Sequence, residues 1–124
     1  MNNDNNNPVT VSVVMSVFNG AKCLPYSIQS ILDQSYKDFE FIIVDDGSTD
    51  TTAQVLKEYS KCDNRIRVIR QDNAGLPKAL IRGCEVAQGN YIARQDADDY
   101  SFPTRLQKQV EELNIDTRIV LVSS

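Results

Sequence analysis

The sequence predicts an α/β domain, a doubly wound, three-layer α/β/α unit with a mostly parallel sheet. Short β-branched apolar runs alternate with stretches whose apolar residues recur at helical spacing, and acidic or amide residues gather where each run ends. Strands alternating with amphipathic helices imply right-handed crossovers, which place helices over a parallel sheet that is covered on both faces.

Val9 to Phe18 (VTVSVVMSVF) is β-branched, and its near-continuous apolarity from Val11 to Val17 predicts a strand buried on both faces. It stops at Asn19-Gly20. Leu24, Ile28, Ile31 and Leu32 then recur at helical spacing, with Pro25 tolerable in a first turn, so a helix is expected from Lys22 to about Ser35. Phe39 to Val44 (FEFIIV) is the second strand. It runs into Asp45-Asp46-Gly47-Ser48-Thr49-Asp50, where Gly47 permits a sharp turn and Ser48 or Asp50 can cap a helix carrying Val55, Leu56 and Tyr59. Arg65 to Arg70 alternates polar and apolar residues as an edge strand does, and Gln71 to Gly75 turns it into a third helix. Pro77 fits the first turn of that helix. Leu80, Cys84 and Ala87 continue it, Gly83 allows close packing, and Gln88-Gly89 is expected to close it with a left-handed C-cap. Asn90 to Arg94 is the fourth strand. After Gln95 to Asp99, Pro103 opens a helix with the stripe Leu106, Val110 and Leu113, and Arg118 to Ser124 supplies a fifth strand.

The composition narrows the function classes. The chain has 124 residues, 41% hydrophobic and 24% charged, with 13 basic and 17 acidic side chains for a formal charge of -4. That suits one domain. No apolar run approaches the roughly 20 residues of a membrane span, and Met1 to Pro8 is an Asn-rich leader without the apolar core of a signal peptide. Scattered basic residues in an acidic chain argue against a nucleic-acid groove. Cys23, Cys62 and Cys84 are too sparse for a disulfide scaffold, and no histidine completes a zinc site or a nucleophile pair. Cys23 and Cys84 read as small core residues. The chain stops within or just after a strand, which is expected of a piece of a larger protein.

In an open parallel sheet, ligands bind beyond the carboxyl ends of the strands. Ser16 and Asn19 bracket the end of the first strand, Asp45 and Asp46 end the second, Asp72 and Asn73 the third, and Asp96, Asp98 and Asp99 the fourth. One sheet edge thus collects carboxylates whose repulsion requires a cation or hydrogen-bond donors. A single turn aspartate is ordinarily a cap, and Asp45, first after its strand, suits turn geometry. Three aspartates facing a second acidic pair point instead to Mg²⁺ or Mn²⁺, which shares its oxygens between carboxylates and substrate phosphates. Competing motifs fail on spacing. Neither GxxxxGK[ST] nor GxGxxG follows the first strand. A calcium loop opening at Asp96 would put Tyr100 at its fifth position, Ser101 where glycine is required and Gln107 where glutamate is required.

Four segments carry a further pattern: Val11 to Asn19 (VSVVMSVFN), Val44 to Asp50 (VDDGSTD), Asn73-Ala74-Gly75-Leu76, and Gly89 to Asp99 (GNYIARQDADD) followed by Pro103-Thr104-Arg105-Leu106. In order and spacing they resemble the inverting glycosyltransferase family 2, which has the Rossmann-like GT-A fold. The resemblance covers everything after the leader, residues 9–124, and stops before the acceptor-binding half of the family fold. It implies that Ser16, Val17 and Phe18 line the pocket for a nucleotide base, with Asn19 and Asp45 beside them, and that Asp46 accepts a hydrogen bond from a uracil-like N–H. Asn73 would lie beside base and ribose. Asp96 would contact ribose or metal, Ala97 would lie between the two acids, and Asp98 would coordinate the Mn²⁺ or Mg²⁺ that bridges the diphosphate. Family members often carry an Arg-Asn pair where this chain has Leu80-Ile81, and Lys78 or Arg82 is placed to supply the missing charge.

The expected activity is inverting transfer of a sugar from a nucleoside-diphosphate sugar, with UDP as the expected nucleotide, to a glycan or lipid-linked acceptor. A divalent cation would stabilise the charge that develops on the leaving diphosphate. The resemblance puts the general base beyond this stretch, so the stretch alone is expected to bind donor without efficient transfer. Family habit places the work in the cytoplasm, with the full-length protein peripheral to the inner face of the membrane. The competing readings are a nucleotidyltransferase, which lacks its Gly-rich basic loop here, and a non-catalytic module that keeps the pocket.

Overall fold

The computed structural model describes residues 10–115 and 121–123, with side-chain environments as far as Glu112. Its elements run β1 (Val11–Val17), α1 (Leu24–Leu32), β2 (Phe39–Asp46), α2 (Thr52–Cys62), β3 (Ile66–Gln71), α3 (Leu76–Val86), β4 (Tyr91–Arg94), α4 (Arg105–Ile115) and β5 (Leu121–Ser123). The expected leader, the first residue of the expected first strand, the Leu113 side chain and residues 118–120 and 124 of the expected fifth strand lie outside the described residues.

The strands form one five-stranded parallel sheet in the order β3-β2-β1-β4-β5. The chain starts in the middle, winds out through β2 to β3, then returns to the other flank of β1 for β4 and β5. The crossovers therefore diverge between β1 and β4, and a crevice opens there beyond the carboxyl ends of the strands.

Continuous apolarity in β1 and β2 is explained by burial from both sides. Val11, Val13, Met15 and Val17 alternate onto one face, where they join Phe39, Phe41 and Ile43 with Leu24, Ile28 and Ile31 of α1, Leu56 of α2, and Leu106 and Val110 of α4. Ile42 and Val44 point the other way, against Ala79 of α3. Every residue of β2 is buried, and each large side chain so enclosed contributes about 1.5–3 kcal/mol. On the α3 face Gly83 lies so close to β1 and β2 that a Cβ there would sit 2.6 Å from Val14 Cγ1 and 3.3 Å from Val44 Cγ2.

Several sequence expectations are corrected at this level. β2 runs on through Asp45 and Asp46, because both residues keep ladder register with Arg70 and Gln71 of β3. α1 is shorter than expected. Its chain enters through a turn at Gly20, whose carbonyl accepts from Cys23 N and Leu24 N, and leaves at Asp33. α2 is entered at Thr51 without a side-chain cap. Asp50 instead accepts from Thr52 N at 2.9 Å, while Ser48 is engaged elsewhere. α3 ends at Val86 on an extended Ala87, and Gly89 does not adopt positive φ. Glycine is needed at 89 for proximity, since a Cβ would lie 2.7 Å from Ser12 N. α4 begins at Arg105, after a turn at Pro103-Thr104. Cys23 is exposed and Cys84 only partly covered, so neither is a core residue. Burial still pushes the Cys84 thiol upward in pKa.

Candidate functional site

At the carboxyl edge of the sheet, interlocking contacts tie the strand-end loops together. The first is Asn19, which has φ 52, a conformation asparagine tolerates better than most residues. Asn19 N donates to Ser48 Oγ at 2.9 Å, and Asn19 Oδ1 accepts from Thr49 N at 2.7 Å and Asp50 N at 3.2 Å. The β1 loop is thereby latched to the β2 loop. Next to it, Gly20 leaves room for Val17, since an added Cβ would sit 2.7 Å from Val17 Cγ2, and the space it leaves faces Ala97 of the β4 loop, 3.8 Å from where that Cβ would be. The β2 and β3 loops meet at Gly47, whose φ is 75 and where an added Cβ would sit 2.6 Å from Asn73 N, so that a side chain is excluded.

The paired aspartates of β2 have different surroundings. Asp45 is 1% exposed. Its Oδ1 accepts from Ser48 N at 3.0 Å and its Oδ2 pairs with Arg70 Nη1 at 2.7 Å. Asp46 faces the β3 loop. Its Oδ1 accepts from Gln71 Nε2 and Ala74 N, both at 2.9 Å, and its Oδ2 accepts from Gly75 N at 3.0 Å and Asn73 Nδ2 at 3.4 Å. Burial pushes this carboxyl up in pKa, but the bonds from Gln71, Ala74 and Gly75 outweigh it and hold the group below the ordinary carboxylate value. Asp46 therefore shapes the turn that opens α3. Asn73 also donates to Asp46 O at 3.0 Å.

At the switch point, Ser16 and Phe18 open towards solvent while Val17 is buried. Across from them, carboxylate oxygens of Asp96, Asp98 and Asp99 lie within 4.8 Å of one another. Asp96 pairs with Arg94 at 3.1 Å, and Asp98 is exposed with no hydrogen-bond or ion-pair partner among the described residues. An octahedral Mg²⁺ with oxygens at about 2.1 Å sets opposite ligands about 4.2 Å and adjacent ligands about 3 Å apart, so the trio must draw closer together to hold one ion. The site residues expected from sequence thus fall on one edge. Ser16 to Asn19 and Asp96 to Asp98 border the crevice, Asp46 and Asn73 close its β3 side, Asp45 is sealed beneath Arg70, and Lys78 stands exposed on the first turn of α3.

Beneath the acidic loop lies a polar network that the strand-end motifs did not announce. Gln95 is 1% exposed; its Nε2 donates to Ser27 Oγ and Asp99 O, both at 2.9 Å, and its Oε1 accepts from Ser101 Oγ at 2.6 Å and Arg105 Nη1 at 2.8 Å. Ser27 Oγ donates to Asp96 O at 3.0 Å, and Ser30 Oγ accepts from Ser101 N at 3.0 Å. Gln34 donates to Phe102 O at 2.7 Å and accepts from Leu106 N at 3.0 Å. The signal was present in α1 and the residues just after it. Ser27, Ser30 and Gln34 share the helical stripe of Ile28 and Ile31, and polar residues on a buried stripe need partners.

Comparison with known proteins shows the family and the fold. A sequence model described as "Glycosyl transferase family 2" matches residues 12–124. The chain belongs to glycosyltransferase family 2. It is 48% identical over 102 residues to the putative glycosyltransferase EpsE of Bacillus subtilis, covering 81% of this chain and 37% of that protein. It is 41% identical to the putative teichuronic acid biosynthesis glycosyltransferase TuaG of the same organism, covering 82% of this chain and 40% of that one. The chain thus spans well under half the length of these curated relatives. Among solved structures, Staphylococcus aureus TarS 1-349 in complex with UDP superposes with a TM-score of 0.79 at 27% identity, over 87% of this chain and 33% of that one. The same protein in complex with UDP-GlcNAc gives a TM-score of 0.80. The mannosyltransferase PcManGT of Pyrobaculum calidifontis, solved with GDP-Man and Mn²⁺, shares the fold at a TM-score of 0.77 and 22% identity, over 89% of this chain and 34% of that one. Family and GT-A fold agree with the resemblance drawn from the motifs. Among the described residues, no helix is long and apolar enough to cross a membrane.

Proposed function

We propose that this chain is the donor-binding part of an inverting glycosyltransferase that takes a UDP-sugar and works on a glycan or lipid-linked acceptor at the cytoplasmic side of a membrane. The observation that carries this reading is the trio Asp96, Asp98 and Asp99, gathered within 4.8 Å beside the open end of β1 at the switch point of a family 2 fold. Likeness to TarS, seen with UDP and UDP-GlcNAc, favours uridine as the base.

In this reading the base lies against Ser16, Val17 and Phe18, with Asn73 beside it. The carboxylate of Asp46 offers about four acceptor positions, and all are occupied. A base N–H reaches Asp46 by displacing Asn73 Nδ2, the longest of its contacts at 3.4 Å. Asp98, free of protein partners among the described residues, and Asp96 would hold Mn²⁺ or Mg²⁺. Such an ion neutralises charge on a diphosphate leaving group. Inversion corresponds to a single in-line attack by an acceptor hydroxyl, and the base that deprotonates it is assigned to a part of the protein beyond this stretch.

The test is calorimetric titration of the chain with UDP, with and without Mn²⁺, beside GDP and an Asp98→Ala variant. UDP binding that strengthens with Mn²⁺ and loses that gain in the variant is the expected result. A chain that binds neither nucleotide, or binds UDP equally well without metal, sinks the reading.

A further inference from the structure

We propose that Arg105 is a positioning residue for the acidic loop, a buried guanidinium that works through Gln95, Ser101 and the β4 backbone to hold residues 96–99 in the shape that presents their carboxylates to a divalent ion. The inference rests on the metal reading above and deepens it.

Arg105 is anomalous in three ways. It is 8% exposed, and among the described residues no carboxylate pairs with it. Its hydrogen bonds go to neutral acceptors, Gln95 Oε1 at 2.8 Å, Ser101 Oγ at 3.0 Å and Arg94 O at 2.6 Å, and its Nε has no partner. It is also the first residue of α4, where the positive end of the helix dipole disfavours a cation. A buried charge without an ion pair is costly. Leu106 and Val110, 1% and 7% exposed, already anchor α4 to the core. What needs Arg105 is the loop.

The geometry shows how it acts. One arm of the guanidinium fixes the carbonyl that ends β4. The other fixes Gln95 Oε1, which turns the Gln95 amide towards Asp99 O and Ser27 Oγ, and Ser27 in turn donates to Asp96 O. The carbonyls on both sides of Asp98 are thereby pinned, and Asp99 N closes the turn on Asp96 O at 3.0 Å. Among the described residues the carboxylates of Asp98 and Asp99 have no hydrogen-bond or ion-pair partner and remain turned over to a ligand. The buried positive charge also offsets the repulsion of three adjacent carboxylates before any ion arrives. Its titration agrees, since burial lowers the Arg105 pKa while Asp99 and Asp96 oppose the change. A lysine carries the charge but lacks the planar fork that spans both sets of acceptors.

The experiment measures Mn²⁺ affinity by the spin-resonance signal of the free ion in the presence of UDP, and UDP affinity without metal, on parent, Arg105→Lys and the milder Ser101→Ala. Changing groups behind metal ligands typically weakens binding about 10- to 100-fold. A loss in that range is expected for Arg105→Lys and a smaller one for Ser101→Ala, with metal-free UDP affinity unchanged because the base contacts lie on the β1 to β3 side. Parent-like Mn²⁺ affinity in both variants overturns the proposal and leaves the metal reading standing. So does a fall in metal-free UDP affinity in step with Mn²⁺ affinity in folded Ser101→Ala, which would mark general loosening. A parent that binds no Mn²⁺ with UDP present overturns the metal reading and this inference together.

Discussion

Asp46 shows how one carboxylate can couple acidity to the shape of a binding edge. Its folded pKa is lowered by Gln71, Ala74 and Gly75 against the upward push of burial. The stabilisation is therefore fully present above the ordinary aspartate value of about 3.9 and is lost as pH falls through the lower folded value. Asp46→Asn sets an amide N–H₂ against existing donors, and a loss of about 1–3 kcal/mol is expected near neutrality. Urea unfolding across the acid range checks both sign and size, because the gap between parent and variant should narrow as pH drops. The sequence announced that Asp46 matters by putting it in a strand-end acidic pair. It did not announce that its partners are backbone amides of the next loop, since these depend on β3 register. Gln95 was harder still, since a glutamine after a strand looks like a solvated residue until the third dimension buries it. Arg94 and Arg105 were legible as cations flanking the acidic cluster, and of the two it is Arg94 that pairs with a carboxylate, whereas Arg105 turns to neutral acceptors.

At the level of elements, strand and helix identities followed from periodicity, and errors were confined to ends where tertiary contacts decide. α3 illustrates this. Both glycines near it are required by proximity, but their neighbours differ in how far they can yield. An added Cβ at Gly83 would first meet a valine side-chain methyl at 2.6 Å, whereas at Gly89 it would meet the backbone nitrogen of Ser12 at 2.7 Å. Gly83→Ala gains up to about 1 kcal/mol of helix propensity against an overpacking cost of about 1–3 kcal/mol, so a small net loss is expected. Gly89→Ala has no helical gain and displaces central-strand backbone, together with the Gly89 N to Ser12 Oγ bond at 2.8 Å. It should be clearly the more damaging of the two in paired thermal melts, and the reverse order would refute the packing described for this end of α3.

For the whole molecule, the sheet order makes the acidic loop and the base-side loops parts of one edge, with the β1, β2 and β3 loops joined through Asn19 and Gly47 and the acidic loop tied to α1 through Ser27. Ligand and ion together should therefore stabilise the entire fold by mass action. At a hundredfold excess over the dissociation constant this amounts to about 2.7 kcal/mol, which a thermal shift with UDP and Mn²⁺ would register and Asp98→Ala would reduce to the UDP-only shift. The strand order itself was not readable from the chain. Parallel crossovers were, but nothing local says that β4 returns to the far side of β1. The Asn19-Gly20 joint has one more implication, which concerns how the protein ages. An Asn-Gly pair in a flexible peptide is prone to cyclise, as the glycine nitrogen attacks the asparagine side-chain carbon to give a succinimide and then aspartate or isoaspartate. Here the attacking nitrogen donates to Thr52 Oγ1 at 3.1 Å, and the Asn19 amide is held by the Thr49 and Asp50 N–H groups. The folded chain should resist this chemistry and the unfolded chain should undergo it, so peptide mass spectrometry after incubation in buffer and in urea would read the integrity of the latch as a deamidation clock.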